Sequence, residues 1–177
     1  MKRIIALAAL CLGCSSAMAN TGIINFEGTV SAGGTCPIDV VTPGGPSLPK
    51  IMLGNFRTTD FKATGDRTPA VRFGLRHDPQ NCALNGDKAT VRYSATYGAT
   101  PGGLYALQDG VGYSEGLALA IYDASNQPLA PDTDSMEYTL SATAPTDMNF
   151  STRLEAIEDT VTEGHVSTSV NFVVDIQ

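Results

Sequence analysis

From residue 20 onward the chain alternates apolar and polar positions with a period of two. Near the front, Gly22, Ile24, Phe26, Gly28 and Val30 fall on one side of an extended strand, with Asn25, Glu27 and Thr29 on the other. At the far end Val166, Val170, Phe172, Val174 and Ile176 share a face opposite Ser167, Ser169, Asn171 and Asp175. Alternation of this kind predicts strands buried on one side only. Stretches rich in Val, Ile, Thr, Tyr and Phe extend the prediction to strands over 23–31, 38–41, 51–56, 71–77, 89–97, 117–123, 137–142, 148–157 and 166–176. No long pattern of period 3.6 predicts a helix. Turn clusters such as Pro43-Gly44-Gly45-Pro46, Asn85-Gly86-Asp87, Pro101-Gly102-Gly103 and Ser125-Asn126-Gln127-Pro128 separate the strands. Turns about ten residues apart are the spacing of a sandwich or barrel. With no internal repeat and no long linker, the expectation is one antiparallel β-sandwich.

The front strand is anomalous because of what precedes it. Lys2 and Arg3, the apolar run 4–12 and Ala17-Met18-Ala19 read as an export signal removed after residue 19. The run is far below the ~20 apolar residues of a membrane-spanning helix. A lipoprotein signal ending at Cys14 is the rival reading, and it puts Cys11 where an aliphatic residue belongs. No second apolar stretch exists, so no membrane span is expected in the mature chain. Cleavage leaves 158 residues starting at Asn20, with nine Lys+Arg against 18 Asp+Glu. That balance argues against nucleic acid, whose binding needs many cation–phosphate contacts. Four cysteines become two, Cys36 and Cys82, which in an exported chain form one disulfide. Closing so long a loop stabilises by roughly 4 kcal/mol in the chain-entropy model. His77 and His165 have no ligand spacing with these cysteines, and neither a metal nor a cofactor is expected. The front strand therefore starts almost at the new N-terminus and is joined to Cys36 by Ser31-Ala32-Gly33-Gly34-Thr35. It is either an ordinary first strand or a strand on a tether that can complete another sheet.

At these residues the chain resembles the subunits of Gram-negative chaperone–usher pili, of the type 1 and P pilus families. Ile24-Asn25-Phe26-Glu27-Gly28-Thr29-Val30 followed by Cys36 is similar to their donor-strand extension and first cysteine. Leu53-Gly54-Asn55-Phe56-Arg57-Thr58, and the run from Thr68 through Phe73 and Leu75 to Cys82, resemble the next blocks. Gly164 lies fourteenth from the C-terminus, where these pilins carry glycine, and Phe172-Val173-Val174-Asp175-Ile176-Gln177 resembles their closing motif. Ile176 departs from the family's usual tyrosine.

The resemblance implies residues 1–19 as signal, 20–35 as donor strand and tether, and 36–177 as a pilin domain. It implies an incomplete immunoglobulin-like sandwich lacking its last strand and completed in trans. A periplasmic chaperone first fills the groove, and an outer-membrane usher then exchanges it for the next subunit's strand. Gly22, Ile24, Phe26, Gly28 and Val30 would be the donor positions. Gly164, Val166, Val170, Phe172, Val174, Ile176 and Gln177 would line the groove edge and meet the chaperone. Gly28 suits a close approach to the donor backbone, with a local bulge as the alternative. The expected product is a homopolymeric extracellular fimbrium, this chain being its shaft subunit; the alternative is a minor adaptor or host-binding subunit.

Three other features suggest chemistry. Gly112-Tyr113-Ser114-Glu115-Gly116 matches the nucleophile elbow of α/β hydrolases, but a strand is predicted where that motif needs a helix. Ser114 is therefore read as a loop serine and no enzyme is expected. Tyr93, Tyr97, Tyr105 and Tyr113 offer stacking surfaces for a sugar, although Tyr93 and Tyr97 fit better as sheet residues. Asp132-Thr133-Asp134 lacks the glycine and terminal glutamate of a calcium loop.

Overall fold

The period-two strands assemble into two five-stranded sheets. The computed structural model describes residues 22–28 (main chain), 37–82 and 87–177. In chain order the strands are β1 Gly22–Gly28, β2 Ile38–Val41, β3 Ile51–Gly54, β4 Val71–His77 and β5 Lys88–Ala95. They continue with β6 Tyr105–Ala106, β7 Leu117–Tyr122, β8 Tyr138–Thr139, β9 Thr146–Ala156 and β10 Val166–Ile176. One sheet has the order β3-β1-β10-β5-β8 and the other β2-β4-β9-β7-β6. The export signal, Val30, the tether and Cys36 lie outside the described residues. Cys82 is disulfide-bonded, and its partner lies outside them too.

The inward rows of the two sheets make one core. Met148, Phe150, Thr152, Leu154 and Ala156 of β9 face Val166, Thr168, Val170, Phe172 and Val174 of β10, all nearly or fully buried. An aromatic cluster joins the layers at mid-height. Phe150 stacks on Phe73 at 5.6 Å, meets Tyr93 edge-on at 5.3 Å and lies 5.4 Å from Tyr138. Such contacts contribute beyond simple area burial, by about 0.5–1.5 kcal/mol each. Burial holds the Tyr93 phenol far above its ordinary pKa and pushes Tyr138 up to about 12.

Strand boundaries move where side chains cap the ladder. The strand expected over 137–142 shrinks to Tyr138–Thr139, because the amide of Ser141 turns aside to Thr146 Oγ1 at 2.9 Å. β7 stops at Tyr122, since Asp123 accepts from Ser125 N, Ser125 Oγ and Gln127 N and closes a turn. Burial raises the Asp123 carboxyl, but these donors outweigh it and leave it below its ordinary value. β5 ends at Ala95, so Tyr97 sits beyond the strand, 43% exposed. β6 escapes the sequence pattern, being two residues long and seated in a glycine-rich turn.

Two clamps set the loops. Arg76 grips Asp147 through Nε (2.6 Å) and Nη2 (2.8 Å), while the amide of Gly44 donates to the same carboxylate at 2.8 Å. The second clamp packs 112–116 against 160–165. His165 N donates to Gly112 O at 2.7 Å, Ser114 N to His165 O at 3.0 Å, and Ser114 Oγ to Thr162 O at 2.8 Å. A Cβ at Gly164 would collide with the Tyr113–Ser114 peptide, so this crossing requires glycine.

Two predictions follow from the clamps. Gly164→Ala should lower stability by about 1–3 kcal/mol, because the obstacle is backbone and not a yielding side chain; a denaturation midpoint equal to wild type would contradict the close crossing. The Arg76 partnership lowers the Asp147 pKa from 3.8. Its stabilisation is therefore present above about pH 4 and lost as pH falls through the folded value. Asp147→Asn should flatten the acid limb of the stability–pH curve, as measured by urea unfolding at several pH values.

Candidate functional site

The site is the strand position between β3 and β10. β1 fills it, running parallel to β10 with Gly22 opposite Val166, Ile24 opposite Thr168, Phe26 opposite Val170 and Gly28 opposite Phe172. On its other side β1 is antiparallel to β3, pairing Gly22 with Gly54, Ile23 with Met52 and Ile24 with Ile51, with a register break after Gly22. β1 is the first strand among the described residues, yet it lies between two strands that come from elsewhere in the sequence. Lifting it out would leave a gap one strand wide, about 9–10 Å between the flanking main chains.

That gap would open onto core. Val166, Val170, Phe172 and Val174 of β10, with Ile51 and Leu53 of β3, are each 7% exposed or less. Full burial of one such side chain stabilises by about 1.5–3 kcal/mol. Partial exposure of six therefore costs on the order of 5–10 kcal/mol, comparable with the whole stability of a domain. Two unpaired ladders would add to this. At the Gly22 end a cavity of about 20 Å³ is walled by Phe56, Phe61, Leu117, Leu154, Val161 and Val166. Phe56 and Phe61 meet edge-on there at 6.4 Å.

The expected site residues separate into groups. Val166, Val170, Phe172 and Val174 face inward along β10. Ile176, at the end of β10, is half-buried opposite Ala89, and the amide of the exposed Gln177 donates to Lys88 O at 2.8 Å. Gly164 sits where the chain turns into β10. Gly22, Ile24, Phe26 and Gly28 are aligned in β1, whereas Val30 and Cys36 lie outside the described residues. Thr168 was missed, because a hydroxyl in an apolar row looks like a break in pattern. It is 1% exposed and satisfied by Ala106 O at 2.9 Å. Ile51 and Leu53 were missed as slot residues, although their alternation with exposed Met52 and Gly54 is a readable signal.

The resemblance implies a groove completed by a strand from another chain; in the single chain, β1 takes the position between β3 and β10.

The remaining candidates are paired or buried. Ser114 is 7% exposed and its hydroxyl is committed to Thr162 O. Tyr93 and Tyr105 are fully buried and present no stacking surface. Asp134 is paired with Arg92 at 2.8 Å. Among the described residues no group of three His, Cys, Asp or Glu side chains is placed to hold a metal.

This arrangement has counterparts in known proteins. The chain is 27% identical to Long polar fimbria protein A of Salmonella typhimurium, covering 97% of this chain and 95% of that one. It is also 27% identical to the probable major fimbrial subunit LpfA of Escherichia coli O157:H7, with the same coverage. The crystal structure of the P pilus rod subunit PapA superposes with a TM-score of 0.58 over 80% of this chain and 99% of that chain, at 15% identity. The shared fold is an all-β, immunoglobulin-like sandwich of two sheets. The model of the fimbrial protein family matches residues 24–177, from the middle of β1 to the last residue, and the chain belongs to that family.

Proposed function

We propose that this chain is the repeating structural subunit of an extracellular fimbrium, joined copy to copy by donor-strand exchange. The observation that carries the reading is the slot itself. A sheet whose interior position is filled by a terminal strand from outside the β2–β10 body accepts an equivalent strand from a neighbour. Main-chain pairing to β10 and β3 supplies affinity, and alternation along Ile24, Phe26, Gly28 and Val30 sets the register. Residues 1–19 direct export to the periplasm, where a chaperone strand occupies the slot before an outer-membrane usher replaces it with the next subunit. The Cys36–Cys82 disulfide staples the domain behind the tether. The likeness to a probable major fimbrial subunit supports the shaft role over a minor one.

Periplasmic co-expression with a cognate chaperone tests the reading, using the full chain and one lacking residues 20–31. The full chain should form multimers that survive SDS without heating, and the truncated chain should accumulate without them. Equal polymerisation of both would sink the donor-strand reading. Gly28→Leu should block chain growth while leaving chaperone capture intact, because an interior glycine marks a close approach. Normal filaments from that variant would show that nothing approaches Gly28 closely.

A further inference from the structure

We propose that the outer face of β4 and β9 carries a binding site for a carboxylate-bearing sugar, in the basin between the loop after β2 and the turn after β7. The basin lies on the sheet that does not contain β1, so the inference is independent of how the position between β3 and β10 is filled.

The basin has a volume of about 480 Å³, inside the roughly 300–1,000 Å³ range of small-molecule sites. Arg72, Asn149 and Ser151 line it from the sheet, Pro43 from one rim, and Asp123 and Asn126 from the other. Two local facts open it. β7 stops at Tyr122, opposite Ser151, where Asp123 turns the chain away, so no β7 residue pairs beside Asn149. On its other edge Asn149 pairs with Gly74, which carries no side chain to fill the space. The Asn149 amide oxygen stands 3.5 Å from where a Cβ on that glycine would be. Arg72 and Ser151 face each other two residues further along, on the same outward side as Asn149.

The polar side chains of this basin are uncommitted. Elsewhere on the outer face the cations are engaged: Arg67 with Glu155 at 2.8 Å, Arg76 with Asp147 at 2.6 Å, and Arg153 over the Tyr122 ring at 4.4 Å. The side chains of Arg72, Asn126, Asn149 and Ser151 form no hydrogen bond or ion pair with another described residue. Four such groups converging on one cavity are a stronger signal than a lone surface cation.

The mixture of groups selects the ligand. A guanidinium presents a planar fork of donors that fits a carboxylate with two parallel bonds. Amides and hydroxyls both donate and accept, as the hydroxyls of a sugar do. Asp123 bounds the far side, its carboxylate committed to Ser125 N, Ser125 Oγ and Gln127 N at 2.6–2.9 Å. That fixed negative charge disfavours a doubly charged phosphate and suits a ligand with a single charge, held at Arg72. Nucleic acid is excluded by number, because one uncommitted cation neutralises one phosphate where such binding needs many.

An NMR titration of the purified mature chain tests this, with D-glucuronate and N-acetylneuraminate as probes and D-glucose and acetate as controls. Amide shifts should centre on residues 72, 123–126 and 149–151. At least one acidic sugar should bind about ten-fold more tightly than either control. Arg72→Gln should weaken that binding about ten-fold or more, and Arg72→Lys should recover only part of it, since lysine keeps the charge without the fork. Asn149→Ala should weaken the acidic sugar and leave acetate unchanged. Arg72 and Asn149 are exposed, so thermal midpoints should stay near wild type. Acetate binding as tightly as the sugars would reduce the basin to a simple anion site and overturn the sugar assignment. Tighter binding of a glutamate-rich peptide would overturn it in favour of a protein contact. Shifts centred elsewhere, sugar binding unchanged in Arg72→Gln, or no shift with either acidic sugar would overturn the site altogether.

Discussion

β10 has to be hydrogen-bonded along both edges, because its inward side chains form much of the core and its main chain has nowhere else to bond. β5 satisfies one edge along 170–176. The other faces a strand-wide position that nothing in the β2–β10 body fills. An empty position would expose Val166, Val170, Phe172 and Val174 together with an open ladder, at a cost near the total stability of the domain. β1 satisfies that edge over seven residues, Gly22–Gly28.

The rest of the sandwich holds the edge in place. The aromatic cluster around Phe150 ties the two sheets together behind β10. The crossing of Tyr113–Ser114 over Gly164 fixes the angle at which β10 leaves its preceding loop. Arg76 and Asp147 pin the loop after β2 on the opposite sheet. These contacts fix the position of β10 and of the strand position beside it. The Gly-x-Ser-x-Gly match belongs to this scaffold: its serine ties two loops together.

Much of this was legible in the residues themselves. Period-two alternation located β2, β4 and β10 to the residue and most other strands within two, because burial of one face writes the sheet directly into the sequence. The same alternation marked β1 as a strand with an apolar face, and the glycine at 164 was placed by its distance from the C-terminus. Alternation says which face is buried but not against what. The neighbours of β1, its parallel direction along β10 and the part that Ile51 and Leu53 play beside it depend on contacts between residues far apart in the chain. Thr168 was hidden for the same reason, since its partner Ala106 lies 62 positions away. The sequence by itself determined that a strand would seek a sheet; the tertiary structure decided which gap it closes and in which direction, because only the folded chain brings β3 and β10 to a strand's width apart.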